Sequence, residues 1–179
     1  MAEVVEPKIH VEIVKGDLLL SNLPIIAHQC NCVTTKGAGL SANMFKMFPY
    51  SDIYTPKKGV YGSRVPGELK LSFPPLQYKE SKTFQESSLK TFPIIAGLFG
   101  QYNPGKPTPD ETRTTRLKWF QQSLQMLGKY MNKHKLKVVG MPYLIGCGLA
   151  GGNWDDYSKA IHIFSKTYNI SVKLYKIFS

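Results

Sequence analysis

Two glycine-rich turns are the segments of this chain best suited to bind a ligand. Residues 37–39 read Gly-Ala-Gly and residues 146–152 read Gly-Cys-Gly-Leu-Ala-Gly-Gly. Each turn follows an apolar run and precedes a helical pattern, and the backbone N–H groups of such turns bind phosphate oxygens. Two of them in one small α/β chain predict two backbone cradles for a phosphate-bearing ligand.

Polar side chains precede the first turn. Asn31 either caps a turn or contacts a ligand, and the glycines six residues later favour the ligand contact. His28 lies inside the apolar run, where a satisfied core histidine is the common case and a catalytic histidine the alternative. Together with Cys30 and Cys32 it suggests a metal site, but alternate strand positions offer ligands on one face only, and no fourth ligand is evident. We therefore predict no metal.

Residues around the second turn have two interpretations each. Cys147 has no neighbouring histidine to activate it as a nucleophile, so packing is its favoured role. Asp155 is either a charge at a helix N-terminus or a general base for a water, and a cation such as Lys36 would have to balance it beside a phosphate. Gln101 is a loop residue or a ribose contact. Tyr175 is a core residue or stacks on a ligand ring.

The apolar pattern alternates strands with helices, which predicts a three-layer α/β/α fold with a mixed, mainly parallel central sheet. Asn153 or Asp155 is expected to cap the last helix. In such sheets ligands bind beyond the carboxyl ends of the strands, where we place both turns, residues 100–107 and Asp17, around one cleft. Strands are predicted over 9–14, 24–30, 67–73, 92–99, 136–145 and 171–178, and helices over 40–48, 111–131 and 154–168.

Length and charge limit the class of protein. The 179 residues suit one domain over 9–179, after a polar tail over 1–8 and with an exposed insertion or hairpin over about 76–90. The net charge is +11, but the lysines are scattered, which favours a solvated surface over a nucleic-acid site while still attracting a charged nucleotide. No apolar run approaches the roughly 20 residues of a membrane span. The three cysteines suggest no disulfide framework, so an intracellular protein, cytoplasmic or nuclear, is expected. A monomer is also expected.

Four segments, in order, resemble the macro domain family over nearly the whole chain. They are residues 14–18 (VKGDL), 27–39, 98–102 (LFGQY) and 141–154. The third segment is similar to the sequence of the subgroup described as ADP-ribose 1''-phosphate phosphatases. The resemblance implies the macro domain fold, ADP-ribose as the ligand and hydrolysis of ADP-ribose 1''-phosphate to ADP-ribose and phosphate.

The resemblance also implies roles for particular residues. Asp17, with Leu18 beside it, would bind the adenine amino group, and Asn31 would hold the distal ribose. Asn31 and His28 would position the water that attacks phosphorus, with no metal and no cofactor. The residues implied to surround the two phosphates are Lys36, Gly37, Ala38, Gly39, Leu40, Gly146, Cys147, Gly148, Leu149, Ala150 and Gly151.

One departure from the family pattern separates the possible activities. Members that remove ADP-ribose from glutamate often carry an aspartate just after the Gly-Cys-Gly-Leu element, where this chain has Ala150. They also use a lysine on a middle strand, and Lys70 is near that position. The alanine at position 150 disfavours removal of ADP-ribose from glutamate by such a lysine and aspartate. The alternatives to the phosphatase are a non-catalytic reader of ADP-ribosylated protein or nucleic acid and a hydrolase that removes ADP-ribose from them.

Overall fold

A computed structural model describes residues 10–55, 64–79 and 91–177 of the chain. Its centre is a sheet of six strands in the order β1-β6-β5-β2-β4-β3. All neighbours pair in parallel except β3, which runs antiparallel to β4 at one edge. The strands are β1 Val11–Lys15, β2 Ile25–Gln29, β3 Leu69–Ser72, β4 Ile94–Leu98, β5 Val138–Pro142 and β6 Ser171–Lys176.

Helices cover both faces of this sheet, because consecutive residues of its central strands are buried and therefore face both sides. In β2, Ile25 and Ala27 pack on the face covered by the two long helices, whereas Ile26 packs on the opposite face with Met44 and Phe45 of the first helix. Ile25, Ile26 and Ala27 are all fully buried, as expected for an apolar run in a strand covered on both faces. The predicted three-layer α/β/α fold is therefore confirmed. The helices are α1 Leu40–Met47, α2 Leu76–Lys79, α3 Arg113–Lys133 and α4 Trp154–Tyr168, and Leu18–Leu20 and Pro49–Ser51 form 3₁₀ turns.

The two long helices pack closely against each other on one face. Thr112 caps α3, because its Oγ1 accepts the N–H of Thr115 at 3.2 Å. The rings of Phe120 in α3 and Tyr157 in α4 lie 4.7 Å apart between centroids. This pair closes the core beneath the end of β5, directly under the second glycine turn.

Three local predictions differ from the structure or are refined by it. The strand predicted over 136–145 ends at Pro142, because Ile145 N–H donates to the Pro142 carbonyl and turns the chain. Asn153, not Asp155, caps α4, with its Oδ1 accepting the N–H of Asp156 at 3.3 Å. In the predicted insertion over 76–90, residues 76–79 form a helical turn and 80–90 lie outside the described residues, as does the predicted tail over 1–8.

The parallel strands place the carboxyl ends of β1, β2, β4, β5 and β6 at one edge of the sheet. Asp17, Asn31, Gln101 and the second glycine turn all follow these ends. The fold therefore brings the predicted site segments to the same side of the molecule. Within the described ranges, no helix combines the length and apolarity needed to cross a membrane.

Candidate functional site

A cavity of about 320 Å³ opens at this edge of the sheet. Its volume lies at the small end of the ~300–1,000 Å³ typical of ligand pockets. Both glycine turns contribute to its wall, so the structure brings them together as the sequence suggested. The lining comprises His28, Gln29, Ala38, Gly39, Leu40, Ser41, Gln101, residues 142–146 and residues 148–150.

The first turn ends at the N-terminus of α1, which faces the cavity. Gly39 is the N-cap residue with φ +54°, a left-handed backbone value that favours glycine, and a Cβ there would point into open space. No side chain caps the helix, and its first turn carries no acidic residue. The positive end of the helix dipole is therefore directed at the cavity, where it favours an anion.

The second turn is folded tightly against the core. Gly146 has φ +76°, and a Cβ at this position would lie 2.4 Å from the Tyr157 ring. The N–H of Gly152 donates to the Gly146 carbonyl at 3.0 Å, which closes the loop on itself. Leu149 at its tip is 81% exposed. The turn thus combines a fixed base with an exposed apolar tip at the cavity mouth.

His28 lies in the cavity wall and is 2% exposed. Its Nδ1 is 3.3 Å from Ser41 Oγ, and its Nε2 is 3.5 Å from Cys30 Sγ. Burial without a charged partner lowers the pKa of His28 from 6.5 to about 4. The imidazole is therefore neutral near pH 7 and able to accept a proton.

Two glutamine side chains connect β2 to the loop after β4. Gln29 Nε2 donates to Gln101 Oε1 at 2.8 Å, and Gln101 Nε2 donates to the Asn103 and Gly105 carbonyls at 3.2 and 3.4 Å. This chain of bonds fixes both amides in the cavity wall. Gln29 Oε1 is buried and has no hydrogen-bond partner among the described residues. Gln29 was not among the predicted site residues.

A buried ion pair between Glu111 and Arg116 holds the loops beside the cavity. Glu111 accepts the backbone N–H groups of Tyr102 and Asn103 at 3.1 and 3.0 Å. Arg116, 1% exposed, donates through Nη1 to the Gly105 carbonyl at 2.6 Å and to the carbonyl of Ala150 in the second turn at 3.1 Å. The pair therefore joins the loop that follows β4 to the second glycine turn.

Asn31 closes a turn in the described structure. Its Oδ1 accepts the N–H groups of Val33 and Thr34 at 3.2 and 2.9 Å, and its own N–H donates to the Tyr54 hydroxyl at 2.9 Å. No bond from Nδ2 is found within the described part of the chain. The amide oxygen is thus occupied by the backbone, and the amide donor is the part of Asn31 left for a ligand.

Asp17 and Tyr175 lie beside the cavity rather than in its wall. Asp17 Oδ1 accepts the N–H of Leu19 at 2.9 Å and caps a 3₁₀ turn. The Tyr175 ring lies against Gly16. The backbone carbonyl of Tyr175 accepts the N–H of Tyr143, which lines the cavity. Asp17 and Tyr175 therefore extend the site along the sheet edge toward β1.

The other predicted residues lie at varying distances from the cavity wall. Leu18 is a core residue, 4% exposed, on the face covered by α1. Gly37 packs against Phe45, and Gly151 lies beside Lys106. Cys147 is half-buried, and desolvation raises the pKa of its thiol to about 11, so it is protonated at neutral pH. Lys36 and Asp155 are exposed and stand outside the cavity lining.

Among the residues that the structure describes, none that lines the cavity is a Lys, Arg, Asp or Glu. An anion bound there would be held by backbone N–H groups and the α1 dipole rather than by an ion pair. The described ranges contain no group of three His, Cys, Asp or Glu able to hold a metal ion. The site is therefore suited to a phosphate held by neutral donors.

Neither a protein-family model nor a curated protein matches the sequence, but solved structures do. A protein of unknown function from Bacteroides thetaiotaomicron is 23% identical with a TM-score of 0.70, covering 94% of this chain and 99% of that one. The macrodomain of Mycobacterium tuberculosis DarG is 17% identical with a TM-score of 0.66, covering 96% and 100%. The chain therefore has the macrodomain fold.

A further match is Thermosipho africanus DarTG in complex with ADP-ribose, 20% identical with a TM-score of 0.66. The match covers 93% of this chain but 41% of that one, so this chain corresponds to less than half of that protein. At these identities the likeness establishes the fold alone.

Proposed function

We propose that this protein binds ADP-ribose at the edge of its sheet where the parallel strands have their carboxyl ends. The observation that carries the proposal is that both glycine turns and the N-terminus of α1 line one cavity. A diphosphate placed there meets backbone N–H donors from two sides. The complex of Thermosipho africanus DarTG with ADP-ribose, which has the same fold, supports this choice of ligand.

The residues on either side of the cavity indicate the orientation of the bound ligand. Asp17 and Tyr175 lie toward β1, and a carboxylate acceptor beside an aromatic ring suits the adenine amino group and base. Asn31 and His28 lie at the other end, near the first turn, and are assigned to the distal ribose and its phosphate. Gln101, in the cavity wall, is assigned to a ribose hydroxyl.

The proposed reaction is hydrolysis of ADP-ribose 1''-phosphate. Water attacks phosphorus, the bond between phosphorus and the 1'' oxygen breaks, and ADP-ribose leaves. Neutral His28 is assigned as the base: its lowered pKa keeps the imidazole unprotonated at neutral pH and also makes it a weak base, in keeping with a slow reaction. Cys147 is excluded as the nucleophile, since its thiol is protonated. Positioning and backbone donors supply most of the catalysis, so we expect a slow enzyme.

Phosphorus NMR of the chain with ADP-ribose 1''-phosphate tests the activity. We expect inorganic phosphate to appear at the rate the substrate disappears. Asn31→Asp separates the two roles of Asn31, because the aspartate keeps the oxygen that closes the turn and loses the amide donor. It should fold like the wild type and release phosphate far more slowly. Undiminished release by Asn31→Asp would remove Asn31 from the mechanism.

A non-catalytic reader of ADP-ribosylated macromolecules is the second candidate. Two features favour a reader. Ala150 offers only its backbone at the position where family members that remove ADP-ribose from glutamate often have an aspartate. Leu149 is exposed at the cavity mouth. A reader would bind ADP-ribose in calorimetry and leave ADP-ribose 1''-phosphate intact. Loss of label from ADP-ribosylated protein or DNA would instead identify a hydrolase of those conjugates.

A further inference from the structure

Ser41 contacts the buried histidine in the cavity wall. Both residues line the cavity, and Ser41 Oγ is 3.3 Å from His28 Nδ1. Ser41 is partly exposed, whereas His28 is 2% exposed. Of the two, Ser41 therefore presents the more accessible polar atom to a group bound in the cavity.

Two side chains, Cys30 and Ser41, lie within 4 Å of the ring nitrogens of His28. Cys30 is 1% exposed, and burial holds its thiol pKa at about 12, so the sulfur keeps its proton. The Cys30 sulfur lies 3.5 Å from Nε2 and 3.8 Å from Nδ1, so it faces both ring nitrogens and does not assign the proton to either. The Ser41 hydroxyl, 3.3 Å from Nδ1, can donate to the tautomer in which Nδ1 is unprotonated, and this is the tautomer that a relay through Ser41 requires.

The position of Ser41 in α1 favours negative charge on its oxygen. Ser41 is the second residue of the helix, and Gly39, which has no side chain, occupies the N-cap position. Partial negative charge on Oγ is stabilised by the positive end of the helix dipole. Cys30 and Tyr54 are not candidates for the role, because both side chains are buried and neither is among the described residues that line the cavity.

We propose that Ser41 is a catalytic residue that relays a proton from the attacking water to His28 Nδ1. The inference rests on the proposed hydrolysis of ADP-ribose 1''-phosphate. As the water oxygen bonds to phosphorus, its proton passes to Ser41 Oγ, and the serine proton passes to Nδ1. The phosphorus–oxygen bond to the sugar breaks, and the departing oxygen takes a proton from bulk water. His28 then returns its proton to solvent.

Ser41→Ala tests the relay, because alanine is well tolerated in a helix and removes only the hydroxyl. We expect kcat to fall about 100-fold, the low end of general acid–base effects, with KM unchanged. Ser41→Thr retains the hydroxyl and should restore kcat to within about tenfold of the wild type. Thr35→Ala, an exposed hydroxyl outside the cavity lining, is the matched control and should leave kcat unchanged.

Two further measurements separate this inference from the proposed function. Calorimetry with ADP-ribose should give the same affinity for Ser41→Ala and the wild type. Nitrogen-15 NMR of the wild type at pH 7 should find Nδ1 of His28 unprotonated and Nε2 protonated. Wild-type kcat in Ser41→Ala, or a proton on Nδ1, overturns the relay and leaves the phosphatase standing. A wild-type chain that binds ADP-ribose and releases no phosphate overturns both proposals.

Discussion

Acidification should destabilise this protein through His28, whose pKa is lowered from 6.5 to about 4 by burial. Between these two values the unfolded chain binds a proton at this residue and the native state does not. The contribution of His28 to the free energy of unfolding is therefore fully present above pH 6.5. It decreases as the pH falls and stops decreasing below about pH 4. At about 1.36 kcal/mol per pH unit, the loss is about 3 kcal/mol.

Urea unfolding at a series of pH values measures this effect in comparison with His28→Gln. The carboxyl groups titrate in both proteins, so the difference between their two stability curves isolates the histidine. We expect the free energy of unfolding of the wild type to fall by about 3 kcal/mol more than that of His28→Gln between pH 7 and pH 4. His162→Gln, which removes an exposed histidine, should follow the wild-type curve. Parallel curves for wild type and His28→Gln would refute a buried, neutral imidazole.

The remaining predictions concern the loops around the cavity. Arg116→Met leaves Glu111 buried without its partner and should cost about 3–5 kcal/mol in urea unfolding, whereas a loss below about 1 kcal/mol would contradict a buried ion pair. Gly146→Ala places a side chain at φ +76° against the Tyr157 ring and should weaken ADP-ribose binding in calorimetry; unchanged affinity would show that this turn does not contact the ligand. Thr112→Ala removes the α3 cap and should lower stability by about 1 kcal/mol without altering that affinity, so a change in affinity would contradict a purely structural role.

The fold was predictable because its signals are local. The helix after Gly39 shows apolar residues at helical spacing as far as Phe48 and stops before Pro49, and the structure has α1 over Leu40–Met47. The continuous apolar run before Asn31 identified a strand covered on both faces. The ends of the strands were less certain: the strand predicted over 136–145 contains Pro142 near its end, and in the structure β5 ends at this proline, where Ile145 N–H donates to the Pro142 carbonyl.

Parts of the site could not be predicted, because they depend on contacts between distant segments. Arg116 is one more polar residue in a long helix until the fold places the Gly105 and Ala150 carbonyls around it. The places of Ser41 and Gln29 in the site likewise depend on the fold, which brings α1 and the loop after β4 together at β2. For Asn31 the sequence favoured a ligand contact, and the turn it closes adds a structural role.

Isothermal titration calorimetry with ADP-ribose, on the wild type and on Gly39→Val, tests the shared cavity most directly. Valine at Gly39 places a branched side chain at φ +54° and projects it into the open space before α1. We predict saturable binding of one ADP-ribose per wild-type chain and its loss in the variant. An absence of binding heat with the wild type, or equal affinity for both proteins, would contradict a site built from the two glycine turns.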